Sequence, residues 1–300
     1  MYREHYGLIQ LPFEMTPDPA FLYLGESHRE GLATLVYGVR AGKGFVMLTG
    51  EVGTGKTTLL HALLAQLPGD MASAYIFNPR LDALDFFRVL FDEYDIQAEC
   101  RTKAEYLLRL NHFLIDRLGR NEKTLLIIDE AQQLSPNMLE EVRLLSNLET
   151  STSKLLQIML VGQPELNHML AQPELRQLRQ RVVLRHHLRP FDEQDLDAYI
   201  DERLTLAGYT GKGIFKRAAR REIFRVTGGV PRLVNIVCDG ALLAGYASGD
   251  QSVDAGVIRE VASDLQLRGE EGEFAAEGAR KPAVPSGHRR AGWLRRLGLR

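Results

Sequence analysis

The 300-residue chain has few of the features that fix a protein's class at a glance. Its two cysteines, Cys100 and Cys238, are far apart and lack C-x-x-C pairing. This argues against a disulfide framework and a sequence-local zinc site, and they read as reduced or buried thiols of a cytosolic protein. No apolar run approaches the roughly 18 to 20 residues of a membrane-spanning helix. The amino-terminal MYREHYGLIQLPF has no basic start followed by an apolar stretch, so no secretory signal is expected and the chain reads as cytoplasmic. Charge of one sign is also missing. Thirty-seven Lys and Arg against 39 Asp and Glu leave a net charge of -2, which does not mark a dedicated nucleic-acid binder. What remains is ordinary globular composition, 45% apolar and 25% charged, in a chain long enough for one large core and a smaller second unit.

Short apolar, β-prone runs recur at GFVMLT (44–49), ASAYIF (72–77), TLLIID (124–129), KLLQIMLVG (154–162) and VVLRHHL (182–188). Helical patterns separate them, among them SHREGLATLVYGVRA (27–41), with Ser27 placed to cap its start. Strand and helix in alternation predict a five-stranded parallel sheet with helices on both faces. After about residue 190 the strand signals stop, and four helical patterns predict a small all-helical domain over 191–268. From Gly269 onward the chain is rich in Gly, Pro, Ala and charge without apolar periodicity, which predicts a disordered tail over 269–300. The reading is therefore a nucleotide-binding domain over 1–190, a helical lid over 191–268, and the tail.

Gly50, Gly55, Lys56 and Thr57 in LTGEVGTGKTTLL fit G-x-x-x-x-G-K-[ST]. The pattern lies between a strand and a helix, where the backbone N–H groups around residues 53–57 can curl around a polyphosphate at a positive helix end. The loop residues Gly50, Glu51, Val52, Gly53, Thr54, Gly55, Lys56, Thr57 and Thr58 are the candidate nucleotide-binding set. Lys56 would reach the outer phosphates, and the Thr57 hydroxyl would take a Mg²⁺ position. In LLIIDE, Asp129 and Glu130 follow an apolar strand at its carboxyl end. There Asp129 would hold Mg²⁺ through water, and Glu130 would orient and deprotonate the attacking water. No N-K-x-D or L-S-G-G-Q stretch is present, so ATP is favoured over GTP and over a transporter cassette.

With these elements in order, the chain resembles an AAA+ ATPase, in which an αβα nucleotide domain is followed by a helical lid. It is more closely similar to the general secretion pathway protein A (ExeA) family, and within it to the soluble MshM type of mannose-sensitive haemagglutinin pilus biogenesis. The resemblance rests on YGLIQLPFEMTPDPAFLYLGESHREGLATLVYGV, TGEVGTGKTT, IIDEAQQLSPNMLEEVRLLSNLET, KLLQIMLVGQPEL, LRQLRQRV and GGVPRLVNIVCDGALLAGY, over about residues 5–265. It implies a sensor-1 role for Gln163, which helps place water against the γ-phosphate, and a sensor-2 role for Arg232, leaning from lid to phosphates. It also implies that one of Arg176, Arg179 and Arg181 enters a neighbouring subunit's active site, with Arg179 favoured and Arg181 next. Pro12 and Phe13 lie in the stretch that approaches adenine in related ATPases, where the aromatic either stacks or plugs the core. His186 and His187 read as structural.

The resemblance further implies self-association, as a ring or an ATP-dependent dimer, and service to an envelope machine through a protein at the inner membrane: type II secretion, an MSHA-type pilus, or an exosortase and exopolysaccharide system. Larger members add a membrane span and a peptidoglycan-binding domain. This chain departs from them in ending about 30 residues after the lid, so a partner is expected to tie it to the inner membrane. The end of the tail, HRRAGWLRRLGLR, carries five arginines with Trp293, Leu294 and Leu297 at helical spacing, a basic amphipathic stretch suited to weak contact with anionic lipid or a partner groove. Two alternatives stand beside the motor. One is a DNA-associated AAA+ regulator of the transposition type, using lid arginines such as Arg217, Arg220 and Arg221, with DNA disfavoured by the net charge. The other is a nucleotide-gated switch with little turnover, disfavoured by the presence of Glu130.

Overall fold

The computed structural model describes residues 2–15, 21–77, 81–150, 153–211 and 213–267. Five strands, β1 (Phe45–Gly50), β2 (Ala72–Ile76), β3 (Thr124–Ile128), β4 (Gln157–Gly162) and β5 (Val182–Leu188), form one sheet in the order β2-β3-β4-β1-β5. Every pairing is parallel, as the alternation of strand and helix predicts. Strand β4 starts three residues inside its apolar run, because Lys154 instead pairs with Glu149 in a separate antiparallel bridge.

Strands β1, β3 and β4 are buried along their whole lengths, so both faces must be covered. Successive side chains divide between two layers with period two. Val46, Leu48, Leu125, Ile127, Met159 and Val161 pack under α2 (Glu26–Arg40) and α3 (Lys56–Leu64). Their neighbours Phe45, Met47, Leu126, Ile128, Ile158 and Leu160 pack under α4 (Ala83–Glu93), α5 (Lys103–Gly119), α6 (Pro136–Leu145), α7 (Glu165–Leu170) and α8 (Arg176–Arg181). The starts of several helices are set locally. Asp82 accepts from the Asp85 N–H at the head of α4, and Ser135 accepts from Met138 ahead of Pro136 in α6. Helix α2 differs from expectation. Its N-cap is Gly25, while Ser27 lies buried inside the first turn, where its hydroxyl accepts from the Arg189 N–H and ties α2 to the end of β5.

Helices α9 (Glu193–Leu206), α10 (Arg217–Thr227), α11 (Pro231–Ser248) and α12 (Ala255–Asp264) follow the sheet and share a separate core. The chain's own beginning joins that core. Tyr2 and Tyr6 of α1 (Tyr2–Tyr6), with Leu8 and Phe13, are buried among Leu196, Ile223, Val237 and Leu242. The strap is pinned where the Ile9 N–H donates to the Ala207 carbonyl at 2.8 Å. Residues ahead of the sheet in sequence are thus packed with the helices that come after it. Cys100 is half-buried and Cys238 is buried, both as free thiols. No helix among the described residues is long and apolar enough to cross a membrane. The tail over 269–300 lies outside the described residues.

Candidate functional site: a phosphate-binding loop at the carboxyl edge of the sheet

Strand β1 ends at Gly50, and α3 begins at Lys56 with no side-chain cap on its first turn. Gly55 occupies the N-cap in the left-handed region, at φ +96°. An uncapped helix start leaves its N–H groups and positive dipole end open to an anion. Lys56 is buried and folds back over the loop, donating to the carbonyls of Gly50 at 2.8 Å and Glu51 at 3.0 Å. Burial lowers its ammonium below the ordinary lysine range, and the charges of Glu130 and Asp129 oppose that fall. Thr54 is also buried, with its hydroxyl on the Glu51 carbonyl, whereas Val52, Thr57 and Thr58 face outward.

The adjacent end of β3 carries the acids. Asp129 is buried and lies 3.5 Å from the Thr57 hydroxyl through Oδ2. A hydroxyl and a carboxylate at this separation are the hard oxygen donors that Mg²⁺ takes, one directly and one through water, so these residues fit that ion. The Tyr75 hydroxyl donates to the same Oδ2 at 2.6 Å. Burial, with the hydrogen bond to Asp129 next, pushes that phenol's pKa well up, so it remains a donor at neutral pH. Glu130 sits in the left-handed region at φ +50° and ψ +37°, with its N–H on Asp129 Oδ1 at 2.8 Å. That backbone is unusual for a residue with a side chain.

Two amides meet Glu130. Gln163, just past β4, donates through Nε2 to Glu130 Oε2 at 3.2 Å, and Gln132 donates to the same oxygen at 2.5 Å. Gln132 also accepts from the Gln163 N–H at 3.1 Å, so it ties β3 to β4 behind the acid. Lys56, Thr57, Asp129, Glu130 and Gln163 are therefore brought to one edge of the sheet, the end at which open α/β sheets bind ligands.

The helical region meets this loop directly. The Arg232 N–H donates to the Gly53 carbonyl at 3.2 Å, and a Cβ added to Gly53, at φ +82°, would lie 2.7 Å from the Arg232 Cβ. Only glycine admits this approach. The Arg232 side chain is exposed beside the loop. Behind the loop, buried His28 holds the Thr54 carbonyl at 2.8 Å through Nε2, and its ring lies 5.1 Å from that of Phe191. Burial lowers its imidazole pKa.

The three arginines near β5 separate. Arg181 is half-buried and donates to Ser146 Oγ and the Arg143 carbonyl within its own chain. Arg176 and Arg179 are exposed, and neither guanidinium has a partner among the described residues. Arg179 precedes the start of β5, where Val182 lies beside Phe45, while the phosphate-binding loop follows Gly50 at the far end of the same strands. Six strand residues put about 20 Å between those ends, beyond the reach of one side chain.

Phe13 takes the core position of its two alternatives, 1% exposed and 6.0 Å edge-on from Phe215. Thr49 Oγ1 meets His187 Nδ1 at 3.1 Å, and His186 meets the Ser27 carbonyl, so both histidines hold structure together. Of the lid arginines, Arg220 is committed to Asp201, while Arg217 and Arg221 are exposed. Tyr75, Gln132 and His28 join the site from outside the phosphate-binding loop and the LLIIDE motif. The one signal for Gln132 was its place two residues after Glu130.

A family model described as an AAA domain matches residues 39–170. General secretion pathway protein A of Aeromonas hydrophila is 44% identical over 275 residues, covering 91% of this chain and 50% of that protein. The chain thus spans about half the length of the curated relative it matches. Among solved structures, the ORC2 protein of Aeropyrum pernix in ADPNP–ADP complexes aligns with a TM-score of 0.59 at 16% identity, over 89% of this chain and 75% of that one. Cdc6p of Pyrobaculum aerophilum aligns at 0.61 and 16% identity, over 83% and 71%. At that identity the two structures establish the fold alone. The chain therefore has the AAA+ fold, carries the nucleotide-binding AAA domain and is a homologue of general secretion pathway protein A.

Proposed function

We propose that this protein binds Mg-ATP at the loop over residues 50–58 and hydrolyses it. The observation that carries the reading is the Glu130 carboxylate, held by Gln132 and Gln163 on the same sheet edge as Lys56, Thr57 and Asp129. In this reading the loop N–H groups and Lys56 bind the phosphates, with Lys56 exchanging its contacts to Gly50 and Glu51 for phosphate oxygens. Thr57 and Asp129 hold Mg²⁺, which would neutralise charge on the outer phosphates. Glu130 accepts the proton of the attacking water, which Gln163 helps to orient. A nucleotide-gated switch has little need for such a carboxylate. Arg232, on the helix that touches Gly53, carries the state of the loop into the helical region.

Arg179 acts in a neighbouring copy, so the working form is an oligomer. The exposure of Arg179, its distance from its own loop and the internal commitment of Arg181 support this assignment. Steady-state ATPase measured against protein concentration tests it. Specific activity should rise with concentration, and Arg179→Ala should lower it by about 10³ or more. A low rate independent of concentration and shared by both proteins would make Arg179 an ordinary surface residue.

The biological task we propose is ATP-driven assembly of an envelope machine from the cytoplasmic side of the inner membrane, working with a membrane partner. Similarity to general secretion pathway protein A favours type II secretion. The MSHA-type pilus and exopolysaccharide systems are its nearest rivals. DNA regulation is less favoured, because Arg220 is spent on Asp201 and one cation of the suggested basic stripe is neutralised.

A further inference from the structure

The helical region carries a groove of about 630 Å³ on the side formed by α11, α12 and the strap that follows α1. Met15, Leu243 and Leu265 line its apolar part, all three exposed, Leu243 at 54%. The charged side chains along it are Glu14, Asp239 and Asp264, all acidic, and no lysine or arginine lines it. Asp239 accepts from the Tyr2 hydroxyl, whereas Glu14 and Asp264 form no hydrogen bond or ion pair among the described residues. An open apolar trough with acids and no bases calls for an apolar segment bearing positive charge.

We infer that this groove is the docking site of the chain's own C-terminal segment, residues 288–300. That segment has the complementary chemistry. Trp293, Leu294 and Leu297 are interleaved with Arg289, Arg290, Arg295, Arg296 and Arg300, and it contains no acid. Its attachment is also favourable, because Asp264, the last residue of α12, and Leu265, its C-cap, both line the groove. Residues 268–287 separate the two in sequence, and the root-mean-square span of any 20-residue flexible linker is about 25 Å, enough to reach a groove beside residue 265. A tether of this length gives an effective concentration near about 1 mM. Even an intrinsic affinity of only about 0.1 mM would then keep the segment docked about nine-tenths of the time. Docking would cover the exposed Leu243 of α11 and place five arginines beside the acids of the groove.

Trp293 is the only tryptophan in the chain, so its fluorescence in the intact protein reads the contact directly. The expected result is emission to the blue of the urea-unfolded chain, with weaker acrylamide quenching, independent of protein concentration. Leu243→Asp should move both readings to the unfolded values while far-UV circular dichroism is unchanged. Asp264→Arg, at an exposed position, should weaken the shielding, as should added salt. The Asp264→Arg protein decides the matter if Leu243→Asp fails to fold. Unfolded-like emission from the native wild type would overturn the inference, as would shielding insensitive to both substitutions. Shielding that appears only as concentration rises would assign the segment to a second copy, and shielding only with anionic vesicles would assign it to a lipid surface. Either result removes docking within the chain.

Discussion

Tyr75 shows how much of a site depends on single hydrogen bonds. It stands on β2, beside β3, and its hydroxyl reaches the Asp129 oxygen that also faces Thr57. Removing the hydroxyl as Tyr75→Phe should loosen Asp129 and weaken Mg²⁺-dependent nucleotide binding by about 2- to 10-fold, the worth of one net hydrogen bond, with metal-free binding unchanged. Titration of a fluorescent ADP analogue with and without Mg²⁺ measures both, and equal affinity to wild type in Mg²⁺ would refute the role.

A second residue-scale effect concerns pH. Burial holds the imidazoles of His28, His186 and His187 below their ordinary value of 6.5. As pH falls through 6.5 the unfolded chain takes protons that the folded chain refuses, so stability is full above that pH and declines below it. Urea midpoints at pH 7.5 and 5.5 should therefore differ, with the acidic one lower, in a window above the range where carboxylates titrate. An unchanged or higher midpoint at pH 5.5 would contradict this account. The P-loop residues, Asp129 and Glu130 were legible because their chemistry demands fixed local spacing. Tyr75 and His28 were not, because each acts on a residue that sequence order does not bring near, and Gln132, close to Glu130 in sequence, gains its role through its long-range bond to the Gln163 N–H.

At the scale of elements, the strap over residues 2–13 shows the same limit. Periodicity located the five strands to within a few residues, and it found the helices after residue 190 from their apolar spacing. It could not show that Tyr2, Tyr6, Leu8 and Phe13 fill the helical core, since only long-range packing decides which core a short aromatic stretch joins. Phe13→Ala should remove about 3 to 5 kcal/mol from the stability of that region. Urea denaturation would show the loss, and a change below about 1 kcal/mol would mean that the strap is only laid on the surface. The contact between the regions is equally sensitive to backbone. Gly229, at φ +74°, lies against the Phe191 carbonyl, where a Cβ would collide, and so holds the turn into α11 that delivers Arg232 to Gly53.

For the whole molecule, the link from β5 into α9, together with Asp195 accepting from the Tyr23 hydroxyl and the Glu26 N–H, joins the helical region to the sheet layers, and in the proposed mechanism the contact of Arg232 with Gly53 would let nucleotide at the loop move it. Assembly into an oligomer would then convert phosphate chemistry into a change at subunit contacts. All of this depends on whether Glu130 drives turnover. The direct measurement is single-turnover hydrolysis of radiolabelled Mg-ATP by wild type and Glu130→Gln, together with the nucleotide retained by each protein. Wild type should hydrolyse and release, and the variant should bind ATP, keep it intact and lose about 10² to 10⁴ in rate. Hydrolysis by Glu130→Gln at the wild-type rate would contradict the assignment of the base and with it the proposed mechanism.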